Sequence, residues 1–373
     1  MLLENFKLER YFARYEFKTK YLFSSSDCDG YPLKYILNHA SLEELKLWES
    51  LTLGYTESEG NTRLRESISR LYQTITPNNI VVSSPGEANF ILMNILLKPT
   101  DHVICMSPSY QSLYQVSKSI GCELSFWDPN KENWHYNPLR LENFVKENTK
   151  LIIINFPHNP TGAFPTREEL LKIVEIAQDN DIYLFSDEMY HLLTLPNTRE
   201  IPCICDIYEK GISLWGMAKT FGLAGLRIGW LACQATELLK KVVSYKDYLT
   251  ICNSAPSEIL SLIAINHKED FIKPNLTKIQ KNISLLEKFK SEHAGFIDFI
   301  PPKAGSTCFA KLSIPETTLE FCRKLLEKTG VMMVPSEIFE YGSGYVRIGF
   351  GRRNFSEILE ILREYIKKNY KVS

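Results

Sequence analysis

"KLIIINFPHNPTGAFPTREELLKIVEIAQDNDIYLFSD", residues 150–187, decides the fold. It opens on a continuous apolar run, 150–155, and closes on another, 182–187. Short runs without polar alternation read as strands buried on both faces. Between them Thr166 stands ahead of Glu168 and Glu169, and apolar residues then recur at helical spacing to 179. A hydroxyl cap and first-turn acids satisfy the free amides and the positive end of a helix. Strand, helix and strand in this order argue for a largely parallel sheet covered on both faces. The first strand runs out into "NFPHNPTG", whose Asn-Pro and Thr-Gly steps make a tight loop at a strand's carboxyl end.

The same texture extends in both directions. Apolar runs at 79–83, 102–106, 122–127, 211–215 and 228–233 read as further strands, with helical patterns at 87–97 and 109–119. The expectation is an α/β chain whose large domain, 46–274, holds a mostly parallel seven-stranded sheet between helices. After 274 the pattern becomes α+β: a long helix from Asn275, short apolar runs near 296–300, 307–312, 331–334 and 345–350, and helices near 317–329 and from 354. Residues 1–45 lack a sheet of their own and group with 275–373 as a smaller domain.

Bulk properties narrow the function. A chain of 373 residues suits one large domain or two. A net charge of −1 gives no global reason to bind nucleic acid or an anionic membrane. No apolar run approaches the roughly 20 residues that cross a bilayer. The mixed-charge, aromatic N-terminus is unlike a signal peptide. Nine Cys without a CxxC pair read as free thiols in a reducing cytoplasm. Seven scattered His, without HxxxH or HExxH, point away from a metal site.

Ligands of such sheets sit at the strands' carboxyl ends, and several polar residues fall there. Asn159 follows the run at 150–155, while Asp187 and Tyr190 end the run at 182–187. "SLWGMAKTFGLAGLRIGW", 213–230, carries two charges, Lys219 and Arg227, in an otherwise apolar, small or glycine stretch. "SSPGEAN", 83–89, places a glycine loop at a helix N-terminus, a ready seat for phosphate. Singly these residues read as a solvated lysine, a capping aspartate and a turn. Together they match the needs of pyridoxal 5′-phosphate. A lysine holds its aldehyde as a Schiff base, a carboxylate keeps its ring nitrogen protonated, and a guanidinium grips its phosphate bidentately. Lys219, Asp187 and Arg227 fill these roles, with Lys219 also moving the Cα proton.

The chain resembles the aspartate-aminotransferase superfamily, the fold-type I pyridoxal-phosphate enzymes, over nearly its whole length. "AKTFGLAGLRIGW" resembles the lysine segment. "NFPHNPTG" resembles the asparagine motif, which implies that Asn159 meets the ring hydroxyl and helps hold the substrate carboxylate. "FSDEMY" implies Asp187 on the pyridine nitrogen and Tyr190 on the ring oxygen. "SPSYQSLY" implies Tyr110 stacked on the ring, and "YVRIGFGR" implies Arg347 on the substrate α-carboxylate. "LGYTESEGNTRLR" implies that Tyr55 reaches the phosphate of a neighbouring subunit, hence a homodimer with shared sites. Two departures stand out. Gly216 occupies the position where the family often has a phosphate-binding Ser, and the phosphate loop reads "SSPGEA", leaving Ser84 and the backbone of Gly86 and Glu87 as donors.

The family's dicarboxylate-specific members need a second arginine, and no motif places one. The segments near the expected mouth are acidic instead: Glu9, Asp27 and Asp29 in "FSSSDCDGYPL", and Glu57. A carboxylate cluster favours a cationic side chain such as a guanidinium; "DCDG" equally reads as a solvated turn. The N-terminal "LERYFARYEF…YLFSSSDCD" resembles a smaller branch, the capreomycidine synthase and enduracididine-forming hydroxyarginine cyclases. This resemblance implies dehydration and cyclisation of a hydroxyarginine; the alternative is an ordinary aminotransferase using a 2-oxo acid. A regulator's sensing domain would bring a basic helix-turn-helix, and a dinucleotide-binding dehydrogenase would bring GxGxxG after the first strand; neither is present.

Overall fold

The structure is a computed structural model that describes residues 3–370. Its strands, in chain order, are β1 (Tyr21–Leu22), β2 (Ile80–Ser83), β3 (His102–Met106), β4 (Glu123–Trp127), β5 (Thr149–Asn155), β6 (Tyr183–Asp187), β7 (Gly211–Gly216), β8 (Gly229–Cys233), β9 (Ile297–Asp298), β10 (Thr307–Leu312), β11 (Val331–Met332), β12 (Val334–Pro335) and β13 (Tyr345–Gly349). A seven-stranded sheet runs β2-β8-β7-β6-β5-β3-β4. The apolar runs of the sequence map onto it one for one, because strands buried on both faces leave no polar alternation. Helix Arg167–Asp179 carries the expected cap, with Thr166 accepting from the Glu169 amide and Glu169 closing the capping box.

The sheet is mixed, and the exception matters. β8 runs antiparallel to both β2 and β7, while the remaining pairs are parallel. An antiparallel strand brings its beginning, not its end, to the edge where its neighbours finish. Gly229 therefore pairs with both Ser83 and Gly216, and the preceding Arg227 joins the carboxyl ends of β5, β6 and β7. The register sets Asn155 beside Asp187 and Asp187 beside Leu214 along the same edge.

A four-stranded antiparallel sheet, β12-β13-β10-β9, and the two-stranded β1-β11 pair form the second unit. The run "VMMV" is split between β11 and β12. The long helix begins at Lys268 rather than Asn275 and continues to Glu292, with Pro274 inside it. As the helix's seventh residue this proline lacks the amide that would bond the Asp270 carbonyl, and the Tyr35 hydroxyl donates to that carbonyl instead, at 2.9 Å.

Residues 23–29 lie along β13. The Phe23 amide donates to Met332 O, the Gly349 amide to Phe23 O and the Asp29 amide to Gly351 O. The approach is so close that a side chain at Gly349 would collide with the Ser25 carbonyl, and one at Gly351 with Asp27. Absence of a Cβ at these two positions lets this strap reach the sheet edge. The nine Cys are free thiols, all buried except the half-buried Cys252.

Candidate active site

The sheet edge opens on a cavity of about 460 Å³. Lys219, Asp187, Asn159, Tyr190, Arg227, Tyr110, Gly86, Arg347, Asp27 and Glu9 all line it, ten of the residues named from the sequence. They arrive from the ends of β2, β3, β5, β6 and β7, the start of β8, β13, the strap and the helix Lys7–Tyr15.

Asp187, the last residue of β6, is buried. One carboxylate oxygen accepts from the Met189 amide at 3.1 Å. Burial pushes its carboxyl up to about 6, against the pull of that amide and of Lys219. Lys219 follows β7, and its Nζ donates to Ser26 Oγ at 2.9 Å. Burial lowers its ammonium below the usual lysine range, opposed by Asp27 and reinforced by Arg347. Tyr190 is buried; its hydroxyl faces Ser26 but makes no hydrogen bond of full geometry among the described residues. Such an orphan carries a cost of a few kcal/mol unless a ligand meets it.

Arg347, on β13, is almost wholly buried. Its Nε donates to Ser24 O at 3.0 Å and its Nη1 to Asn159 Oδ1 at 3.0 Å. The Ser24 hydroxyl in turn donates to Arg347 O. Phe12 and Phe339 lie 5.6 and 5.3 Å from the guanidinium carbon. Asn159 is held from behind, its amide donating to Asn155 Oδ1 at 2.8 Å. Arg227 adopts a left-handed φ of 57° at the turn into β8, and its Nη1 donates to Ala224 O at 3.0 Å. The Tyr110 hydroxyl donates to Glu9 Oε1 at 2.7 Å.

The phosphate loop is smaller than expected. Gly86 faces the cavity, and a Cβ built there would meet nothing within 4 Å. Among the described residues the amides of Gly86 and Glu87 have no acceptor, as the first amides of a helix do not. The Ser84 side chain is a correction: Ser84 takes the N-cap position without a cap bond and does not line the cavity. The Glu87 side chain turns away to the hydroxyls of Ser83 and Thr250, each at 2.7 Å, so its backbone alone faces the loop. Gly216 has a physical reason. A Cβ there would lie 2.7 Å from the Gly229 Cα and 2.8 Å from the Ile228 carbonyl, so no serine fits between β7 and β8 as they stand.

The acidic mouth is redrawn. Asp29 lies outside the cavity, paired with Lys278 at 3.1 Å and with the Arg353 amide at 2.9 Å. Glu57 is exposed and accepts from Thr62. Asp27 stays in the cavity but shares its charge with Arg352 at 3.0 Å. Glu16 joins Glu9 and Asp27 in the lining. Burial raises its carboxyl above the ordinary value, and Asp27 raises it further. Residues 9 and 16 are two helical turns apart, and that spacing was the sequence signal for Glu16. Ser26 had no such signal. Tyr55 is exposed and does not line this cavity.

These residues fit a phosphorylated pyridine aldehyde. A free amine, a buried carboxylate with one open oxygen, an orphan phenol, and a guanidinium beside free helix amides are its complementary partners. Comparisons with known proteins agree. The family model for aminotransferase class I and II matches residues 18–362. Capreomycidine synthase of Streptomyces vinaceus is 28% identical over 93% of this chain and 88% of its own length. The aspartate aminotransferase of Thermotoga maritima is 26% identical over 87% of this chain and 85% of its own. The crystal structure of a PLP-dependent aminotransferase from Streptococcus suis 89-1591 superposes with a TM-score of 0.93 at 30% identity, covering all of both chains.

Proposed function

The chain belongs to the aminotransferase class I and II family and is a pyridoxal-phosphate enzyme, and on that premise we propose that it acts at the α-carbon of a cationic, arginine-derived L-amino acid, dehydrating a hydroxyarginine and closing it to a cyclic guanidino amino acid. When bound, the cofactor supplies a sink for the electrons of a bond broken at Cα. The residues divide the rest of the work. Lys219 anchors the aldehyde and carries the Cα proton. Asp187 holds the proton on the pyridine nitrogen. Arg227 and the amides of Gly86 and Glu87 take the phosphate. Tyr190 and Asn159 would take the ring oxygen, and Tyr110 would offer its ring face to the cofactor ring. Arg347, with Asn159, fixes the substrate carboxylate. In the net reaction one C–O bond breaks, one C–N bond forms, water leaves, and nothing is oxidised or reduced.

One observation carries the choice of substrate. Once Lys219, Arg227, Arg347 and Asp187 have these partners, the cavity keeps three carboxylates, Glu9, Glu16 and Asp27, and among the described residues no further arginine or lysine lines it. A distal carboxylate such as aspartate's would face them unpaired, whereas a guanidinium would pair with them. The similarity to capreomycidine synthase supports the same reading. The test is incubation with hydroxyarginines without any 2-oxo acid. A product lighter by one water, with the enzyme still in its starting form, is expected; conversion to the pyridoxamine form, rescued only by a 2-oxo acid, would establish the second reading, an ordinary aminotransferase, which the Thermotoga and Streptococcus relatives favour. Glu16→Gln and Asp27→Asn are each expected to raise KM for cationic substrates about tenfold, the worth of one charge-assisted hydrogen bond. Steady-state kinetics on a neutral amino acid should show no change; an equal rise there would remove these carboxylates from substrate binding.

The working unit in this reading is a cytoplasmic homodimer. Leu53, Tyr55 and Tyr248 are 84%, 88% and 89% exposed in the single chain. Thr56 bonds Asn253 O at 3.4 Å, so the 53–56 loop and the 248–253 segment adjoin. Apolar and aromatic side chains this exposed call for a partner surface. Sedimentation is expected to give a dimer, and Tyr55→Phe to weaken cofactor affinity several-fold without dissociating it. A monomer with full cofactor affinity would contradict both statements.

A further inference from the structure

Whenever an incoming amino group displaces Lys219 from the aldehyde, its amine is set free. That is also the state in which it must face the Cα proton. Its Nζ then has one hydrogen-bond partner among the described residues, the Ser26 hydroxyl at 2.9 Å. Ser26 lines the same cavity.

The serine is firmly placed. Its carbonyl accepts from the Ser306 hydroxyl at 2.8 Å. On one side, Ser24 is bonded through both its backbone and its hydroxyl to Arg347, and its hydroxyl also accepts from the Val334 amide at 2.7 Å. On the other, Asp27 is tied to Arg352 and the Asp29 amide to Gly351 O. The strap that positions the carboxylate-binding arginine thus also positions the hydroxyl on the catalytic amine. A lysine side chain has four rotatable bonds, and misplacing a proton carrier by about 1 Å costs on the order of 10²-fold.

We propose that Ser26 is a positioning residue: its hydroxyl holds the released Lys219 amine toward the substrate Cα, so that proton transfer and not cofactor capture depends on it. This rests on Lys219 being the aldehyde anchor, and the experiment separates the two. Wild type, Ser26→Ala and Ser26→Thr are loaded with the cofactor, reduced with borohydride, and the modified peptide is mapped. Cα–H exchange in deuterium oxide is then measured with whichever of L-arginine, L-aspartate or L-alanine the wild type exchanges fastest. The label should fall on Lys219 in all three proteins. Exchange should slow about tenfold or more in Ser26→Ala with KM and cofactor affinity within about twofold of wild type, and Ser26→Thr should recover most of the rate. Wild-type exchange in Ser26→Ala with the label on Lys219 would overturn the role of Ser26 alone. A label on another lysine, or no exchange by the wild type, would overturn the anchor assignment and this proposal with it. A parallel rise in KM and loss of cofactor would mark Ser26 as merely structural.

Discussion

Lys219→Ala is expected to lose the covalent cofactor link and turnover together, by at least about 10⁴-fold. Two contributions combine. General acid–base catalysis by a positioned group is worth about 10²–10⁴-fold, and the variant also loses the activated aldehyde that lets a substrate amine exchange in. The cavity itself should survive. Its other contacts, Arg347 with Asn159 and Tyr110 with Glu9, do not pass through the lysine. The variant should therefore still bind the cofactor through Asp187 and the Arg227 loop, but without the visible absorbance of the lysine-linked form and without a borohydride-trapped peptide. Absorbance, peptide mapping and turnover are the measurements. Turnover within tenfold of wild type would assign the chemistry to another group.

Asp187→Asn is expected to act in opposite directions on stability and on activity. In the cofactor-free chain the folded carboxyl sits at about 6, above its ordinary 3.8. A carboxyl raised by folding contributes stability that is full below the unfolded value and is lost as pH rises through the folded one. Between pH 4 and 7 the cofactor-free wild type therefore gives up about 3 kcal/mol to ionise a buried acid. Asn does not titrate. The cofactor-free variant should be the more stable at pH 8, by up to about that amount, and the advantage should vanish below pH 4; chemical denaturation across pH reads it directly. With the cofactor bound the sign reverses. If Asp187 takes the proposed role, a protonated pyridine nitrogen would stabilise its carboxylate, and losing a buried charge partner costs about 3–5 kcal/mol. Turnover should fall on the order of 10³-fold. A variant that is both inactive and less stable at pH 8 without cofactor would show that Asp187 is a structural ion rather than a reserved one.

The legible part of this molecule was the part dictated by burial. β5, β6 and β7 are enclosed on both faces, so their sequences had to be apolar, and the polar residues that end them stand out against that background. Lys219, Asp187, Asn159 and Arg227 could be placed at one edge for that reason, and the cavity gathers them. Contacts that depend on a neighbour distant in sequence were not legible. Nothing in "DCDG" says that Arg352 takes a share of Asp27 or that Lys278 and Arg353 take Asp29. Nothing in "SSPGEA" says that Glu87 bends back to Ser83 and Thr250. Gly216 looked like a lost phosphate ligand until the Gly216–Gly229 pairing gave the steric reason for it. Ser26 stayed hidden because a lone hydroxyl in a run of serines has no periodicity to mark it.

The strap along β13 also constrains how the protein can be made. The Arg347–Ser24 bond joins residues 323 positions apart. During translation, residues 23–29 leave the ribosome long before the strand they rest on exists. Until residue 351 has emerged, the nascent chain has its sheet edge and its lysine but no wall behind which to use them. A polypeptide that stops short of β13 lacks both Arg347 and the strand on which the strap rests.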